Sequence, residues 1–570
     1  MTEVLTHDLL IVGGGAAGLR AAIAAVEVDG SLDIAIVSKV FPMRSHTVSA
    51  EGGAAAVLRE DDNLDLHCFD TVRGSDFLAD QDVVEIFVKN APEEIIQLEH
   101  WGCPWSRDSN GKISARAFGG MSVKRTLYAS DKTGFHMLHA LFQTSLKHAS
   151  IQRYDEWFVT SLLVEEGRCV GVTALNLTTG ELYPIVARAV LLCTGGGGQI
   201  FPFTTNASIK TSDGMALAYR AGAALKDMEF VQYHPTGLPG TGILITEASR
   251  GEGGHLVNKE GERFLERYIP GKMELGPRDI LSRSIMTEME EGRAFEGLYG
   301  QYVHLDLSHL GEKLIDEKLP FVRELVVKFV GIDPVHVPIP VRPVVHYMMG
   351  GVSTDINGKT SLSGLLAAGE VACVTLNGAN RLGSNSLTEC LVFGALSGKA
   401  AAHDVLERKP VPQNPIQQLA EEERKRISKK FLEKEGGKER VSSLREEMHL
   451  TMEKNCGVFR TGQGLQEACT TLRELRERFD DVVIEDRGRV FNTDLTAALE
   501  LDFMLDAAEC ITHSALAREE SRGAHSRLDF PQRSDEKFLH HLLSYATPQG
   551  PRLEQQAVTI TRWPPQERKY

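Results

Sequence analysis

The stretch Asp8-Leu9-Leu10-Ile11-Val12-Gly13-Gly14-Gly15-Ala16-Ala17-Gly18 decides the fold. Its apolar run reads as a short buried strand, its glycines as a tight turn, and the small residues from about Ala16 to Val28 as a helix. Asp33-Ile34-Ala35-Ile36-Val37 reads as a second strand, which completes a βαβ unit with G-x-G-x-x-G at Gly13, Gly15 and Gly18. There the glycines allow a tight turn, close backbone approach to a pyrophosphate and close helix packing, and the helix N-terminus offers free amides to the phosphates. One part of that fingerprint is missing. An acidic residue at the end of the second strand would hold a ribose hydroxyl, but Ser38-Lys39 stands there, which weakens a nicotinamide-first reading.

Working outward, two more apolar runs break into glycine: Ala189-Val190-Leu191-Leu192-Cys193-Thr194 before Gly195–Gly198, and Gly364-Leu365-Leu366-Ala367-Ala368-Gly369-Glu370. A dinucleotide domain visited three times, with a segment inserted between the second and third visits, is a flavoprotein pattern; three unrelated strand–turn units in one α/β sheet are the alternative. From about Pro412 amphipathic helices take over, as in Leu472-Arg473-Glu474-Leu475-Arg476-Glu477-Arg478-Phe479. After about Gly523 short strands and turns run to Arg562-Trp563-Pro564-Pro565. The expected fold class is α/β: a Rossmann-like FAD-binding domain in two chain segments (1–230 and 344–408), an inserted α+β capping domain (231–343), a helical domain (409–523) and a small C-terminal domain (524–570).

Composition excludes several classes. At 570 residues the chain is too long for one core. Its 62 basic and 78 acidic residues leave a net charge of −16, which disfavours nucleic acid and anionic membranes as partners. No stretch reaches the roughly 18 apolar residues of a membrane span, and the N-terminus shows no basic region of a secretory signal. The nine cysteines are scattered, without C-x-x-C, so no metal, iron–sulfur cluster or haem is expected on this chain and its thiols should be reduced and buried.

Arg44-Ser45-His46-Thr47, Ala50-Glu51-Gly52-Gly53, Gln232-Tyr233-His234-Pro235-Thr236-Gly237, Asn380-Arg381-Leu382-Gly383-Ser384-Asn385-Ser386-Leu387 and Glu520-Ser521-Arg522-Gly523-Ala524-His525 occur in this order. With them the chain resembles the flavoprotein subunit of fumarate reductase and succinate dehydrogenase, along nearly its whole length. The resemblance implies FAD joined covalently to His46, where a neutral imidazole can act as nucleophile. It further implies cofactor contacts from Gly13, Gly14, Gly15, Ala16, Ala17, Gly18, Ser38, Lys39, Ser45, Thr47, Gly52, Asp213, Glu370, Ser386 and Leu387. Substrate contacts are implied for His234, Thr246, His346, Arg381, Gly53 and Phe118, with Arg381 gripping a carboxylate bidentately. Fumarate and succinate interconvert by hydride transfer at flavin N5 and protonation by Arg278, which Glu247 and Arg250, spaced E-x-x-R, would resupply. Because arginine normally keeps its proton to about pH 12, a histidine acid beside a purely electrostatic Arg278 is the competing view.

The reductase branch is favoured because Glu51 stands where dehydrogenases usually carry glutamine, and because Trp101–Ser106 and Ser384–Leu387 look reductase-like. The short stretch Glu262–Pro270 before Met273 looks more like the dehydrogenases. L-aspartate oxidase usually lacks the R-S-H-T histidine, and a non-catalytic flavin-binding subunit would have no reason to keep the polar set together. The resemblance implies an iron–sulfur partner subunit carrying the clusters and membrane-anchor subunits binding quinone. This chain would be peripheral, on the cytoplasmic face of the inner membrane.

Overall fold

The computed structural model describes residues 3–409 and 414–569; the composition change read at about Pro412 lies outside them. The βαβ unit forms as β1 (Leu5–Val12), α1 (Ala16–Val28) and β2 (Ile34–Ser38). β1 pairs in parallel with β2 (Ile11↔Ile36) and with the strand Glu181–Leu192 (Ile11↔Leu191). β2 pairs with Ile151–Asp155, and the end of Glu181–Leu192 pairs with Leu365–Ala367, again in parallel. The glycine turns at Gly13–Gly15, Gly195–Gly198 and Gly369 therefore follow three adjacent strands and open at one edge of one sheet. Ligands of open α/β sheets bind at such carboxyl edges. The strands are apolar on both faces, with Leu9, Leu10 and Ile11 fully buried, because structure covers both sides. On one side α1 meets the helix Asn385–Glu407 through small residues: a Cβ at Gly398 would lie 2.2 Å from the Ala21 carbonyl oxygen.

A second, antiparallel sheet orders Val231–Gly237, Ile339–Met348, Gly300–Asp306 and His255–Val257. Its outgoing and returning strands are direct neighbours (Val231↔Met348, His234↔Val344), so the segment leaves and rejoins the first sheet at one place. The helix Arg278–Glu290 packs on it through Leu281 and Ile285, with Leu256, Val303 and Ile339 in the same core.

The helices Val441–Asn455, Gly462–Phe479 and Thr493–Ala517 share a core with the first sheet, where Phe503 stacks on Phe158 at 6.0 Å. The hairpin His540–Tyr545/Arg552–Ala557 pairs with Leu225–Lys226, so the strands after residue 524 belong to a sheet begun far earlier in the chain. Among the described residues no helix is long and apolar enough to cross a membrane. All nine cysteines are free, and all but Cys390 are buried.

His541, on that hairpin, is buried between Asp227 (2.6 Å) and Asp80 (3.4 Å). Burial lowers its pKa, but the two carboxylates outweigh burial and raise it to about 9. The folded value lies above the unfolded one, so this clamp stabilises fully below pH ~6.5 and fades as pH rises through ~9, by on the order of 3 kcal/mol. The melting temperature of the wild-type protein should fall between those values, and His541→Asn should melt lower and flatten the decline. An equally steep decline in the variant would remove His541 as its cause.

Candidate active site

The three glycine turns border a cleft of about 1310 Å³, counting its open mouth. Gly13 has φ +117, and a Cβ there would sit 2.3 Å from the Cys193 carbonyl oxygen. Gly18 lies behind the wall, where a Cβ would meet the Gly13 carbonyl at 1.9 Å, so β1 and α1 close on each other only through glycine.

Of the predicted cofactor residues, Gly13, Gly14, Gly15, Ala16, Ala17, Ser38, Lys39, Ser45, His46, Thr47, Asp213, Glu370, Ser386 and Leu387 line the cleft. Gly52 does not; it packs on Phe118, whose ring would be 2.9 Å from an added Cβ. Beside Lys39, just after β2, stands a carboxylate from far along the chain. Asp213 opens the helix Asp213–Arg220, and Lys39 Nζ binds its carboxylate at 2.8 Å together with Glu500. Three helices, starting at Ala16, Asp213 and Asn385, bring N-terminal residues to the cleft, and α1 has no side-chain cap.

His46 borders the same cleft, and its Nδ1 accepts the Ala207 amide at 3.3 Å. Burial, then the Lys210 charge, hold its pKa well below the usual range, so the imidazole is neutral. Ser45 Oγ is buried without a hydrogen-bond partner among the described residues, an orphan that a bound cofactor would satisfy.

Beyond His46 the predicted polar residues converge. Arg278 Nε and Nη2 both lie 2.9 Å from Glu247 Oε2, and Arg250 Nη2 is 3.5 Å from the same oxygen. Glu247 Oε1 accepts the Gly119 amide at 2.5 Å. Burial raises the Glu247 pKa, but Arg278, Arg250 and that amide reverse the shift, so it is a carboxylate. Arg381, 2 % exposed, donates to Ser386 Oγ (3.1 Å) and lies over the Tyr347 ring. Burial, then Arg278, bring its pKa down to about 10. Its Nε has no hydrogen-bond partner among the described residues.

His234 and His346 stand with ring centroids 5.0 Å apart. Burial, then the neighbouring arginines led by Arg278, push both pKa values well below the usual range. Thr236 donates its amide to His234 Nδ1 (3.3 Å), so the neutral ring carries its proton on Nε2 as a donor. Thr246 is buried beside Glu247, and Gly53 meets the strand Thr126–Leu127.

Gln232, Asn380 and Lys210 escaped sequence reasoning. Gln232 Oε1 accepts from Arg278 (3.0 Å) and from Arg381 (3.1 Å), joining the two guanidiniums. Its Nε2 donates to Asn380 Oδ1 and to the Arg381 carbonyl. The usable signal was its place two residues before His234 on one strand, hence on one face. Lys210 lines the cleft, pairs with Glu370, and carried no motif.

Residues 8–387 match the FAD binding domain family, and residues 445–570 the fumarate reductase flavoprotein C-terminal family. A fumarate reductase flavoprotein subunit of Mycobacterium tuberculosis is 58% identical over 579 residues, 99% of each chain. The chain belongs to the flavoprotein-subunit family of fumarate reductase and succinate dehydrogenase. A succinate dehydrogenase flavoprotein subunit of Rickettsia bellii is 43% identical, covering 97% of this chain and 95% of its own. The solved structure of a Glu-to-Gln variant of the Escherichia coli quinol fumarate reductase flavoprotein is similar at a TM-score of 0.97 and 49% identity, covering 100% of this chain and 99% of that one. As a member of this family the protein is an FAD-dependent oxidoreductase.

Gly13→Ala should therefore yield protein that loses its FAD on desalting, read from the flavin absorbance. Gly30→Ala, with nothing within 4 Å of the new Cβ, should keep it. Full flavin in the Gly13 variant would remove that turn as the determinant of binding.

Proposed function

We propose that the chain is the catalytic flavoprotein subunit of a quinol:fumarate reductase. The observation that carries this is the pair Arg250 and Arg278 on one carboxylate, Glu247, with Arg381 joined to Arg278 through Gln232 and two neutral histidines alongside. Three positive charges and one negative leave 3 − 1 = 2 positive, which suits a small dianion. Arg381 grips one carboxylate. His234, Thr246 and His346 donate hydrogen bonds, and Gly53 and Phe118 shape the floor. When bound, FAD supplies the hydride from N5.

Arg278 gives a proton to the neighbouring carbon and recovers one through Glu247 and Arg250. The neutral histidines favour this over a histidine acid, because an uncharged imidazole is a hydrogen-bond donor and a poor proton source. His46 holds the flavin covalently. The other cleft-lining residues hold FAD, with Asp213 on the adenosine ribose in place of the acid missing after β2. The boundaries 1–230, 231–343, 344–408, 409–523 and 524–570 stand as our division, with Arg278 on the cap.

Electrons arrive from quinol through an iron–sulfur subunit docked on membrane-anchor subunits. This chain sits peripherally, on the cytoplasmic face of the inner membrane. The short stretch Glu262–Pro270 favours the reverse assignment, succinate dehydrogenase, which uses the same site.

The test uses the purified, flavin-loaded complex. Fumarate should oxidise a reduced low-potential dye faster than succinate reduces an oxidised one. A succinate preference would make this a dehydrogenase, and silence toward both substrates would sink the assignment. Arg278→Gln should lower kcat by roughly 10²–10⁴-fold; near-normal turnover with weaker fumarate binding would end its role as donor. His46→Ser should leave flavin that denaturation releases, whereas colour remaining on the denatured variant would refute the linkage.

A further inference from the structure

The segment from Val558 to Lys569 lies along the helices Leu64–Gly74 and Gln81–His100. Gln81 Oε1 accepts the amides of Thr561, Arg562 and Trp563, and Gln81 Nε2 donates to the Trp563 carbonyl at 2.6 Å. Arg562 pairs with Asp65, and Trp563 meets the edge of Phe69 at 5.8 Å. Arg568 then reaches two carboxylates that belong to different bodies. Its Nε is 3.2 Å from Asp76, just after the helix Leu64–Gly74, and its Nη2 is 2.6 Å from Asp279, the second residue of the helix that Arg278 begins.

The bridge is buried, with side-chain exposures of 10% for Arg568, 7% for Asp76 and 0% for Asp279. From Asp279 the bonding continues inward. Its Oδ1 accepts Asn380 Nδ2 (3.2 Å), Asn380 Oδ1 accepts Gln232 Nε2 (2.9 Å), and Gln232 Oε1 is the acceptor shared by Arg278 and Arg381. Asp279 also receives Arg283 at 3.3 Å, on the more exposed side of the helix. A fork that spans two carboxylates is an arginine property; lysine offers one charge on a flexible stem.

We propose that Arg568 is a positioning residue for the two substrate arginines. By tying Asp279 to Asp76, it fixes the start of the cap helix, and with it Arg278, relative to Arg381. The proposal rests on the roles assigned above to those arginines. A misplacement of about 1 Å between reacting groups can lower a rate up to ~10²-fold, so the bridge has the leverage to matter.

The test compares flavin-loaded wild-type complex with Arg568→Gln, Arg568→Lys, Asp279→Asn and the Arg568→Gln/Asp279→Asn double variant, at equal FAD content. Arg568→Gln should lower kcat for fumarate about tenfold with KM changed less than about twofold, because Arg278 acts in the transition state. Arg568→Lys should recover part of the loss, and Arg568→Gln should have no further effect in the Asp279→Asn background. Hydrogen exchange at the amides of Leu281–Ser284 should quicken in Arg568→Gln while the rest of the chain keeps its protection. Unchanged kcat and exchange, additive losses in the double variant, or loosening of the whole chain would each overturn the proposal. If the wild-type complex turned over neither fumarate nor succinate, the functional reading alone would fall, and exchange at Leu281–Ser284 would still decide whether Arg568 holds the helix.

Discussion

Among the described residues Glu247 is the only carboxylate bonded directly to Arg278 and Arg250, and Arg381, across Gln232, has none. Ions removed from water lose several kcal/mol of solvation each, and like charges in the interior repel strongly. The lowered pKa of Arg381, down to about 10 from burial and from Arg278, is the imprint of that strain. The same charges, added to burial, keep His234 and His346 neutral. One electrostatic arrangement thus sets the protonation of the whole site: two arginines in excess, histidines reduced to donors, and one carboxylate between Arg278 and Arg250.

The arrangement depends on strand pairing that looks unrelated to it. Val231–Gly237 and Ile339–Met348 are neighbours in one antiparallel sheet, and that pairing brings His234 beside His346 although the whole inserted segment separates them in sequence. Gln232 stands on the same face as His234 and reaches both guanidiniums. Arg381 arrives from the loop that precedes the helix Asn385–Glu407, and this helix is seated on α1 by glycine contacts. The cofactor cleft and the arginine cluster therefore share supports: the loop and helix that deliver Arg381 also line the cleft with Ser386 and Leu387.

Legibility in the sequence followed the range of the interaction. The βαβ unit could be read because period, turn and helix are local; the strand read at Asp8–Val12 begins at Leu5 because residues 5–7 pair with Ile185–Ala187, a partner that no local hydrophobic run announces. The glycine turns gave three separate visits, and the register of three parallel strands joins them at one edge. Asp213 was read only through resemblance, since its place beside Lys39 depends on side chains far apart in sequence. Asn380, Lys210 and Arg568 carry no periodic or spacing signal, and Gln232 only its place two residues before His234 on one strand. They act by hydrogen bonds to partners 46 to 289 residues away, which only the folded chain contains.

Arg278, Arg250, Glu247 and His234 come from the inserted segment, whereas Arg381 and Phe118 come from the body that holds the cleft. Neither set is a site without the other. Where they meet, Arg278 and Arg381 stand at one acceptor, a like-charge approach that Gln232, being neutral, relieves only in part. A dianion between the two guanidiniums removes that repulsion and supplies the missing counter-charge. On the function proposed above, a bound dianion and this arrangement of the two guanidiniums would stabilise each other by linkage. On the function proposed above, a carbanion developing in this buried cluster would meet the Arg278 proton rather than water, because Arg278, Glu247 and Arg381 are all buried.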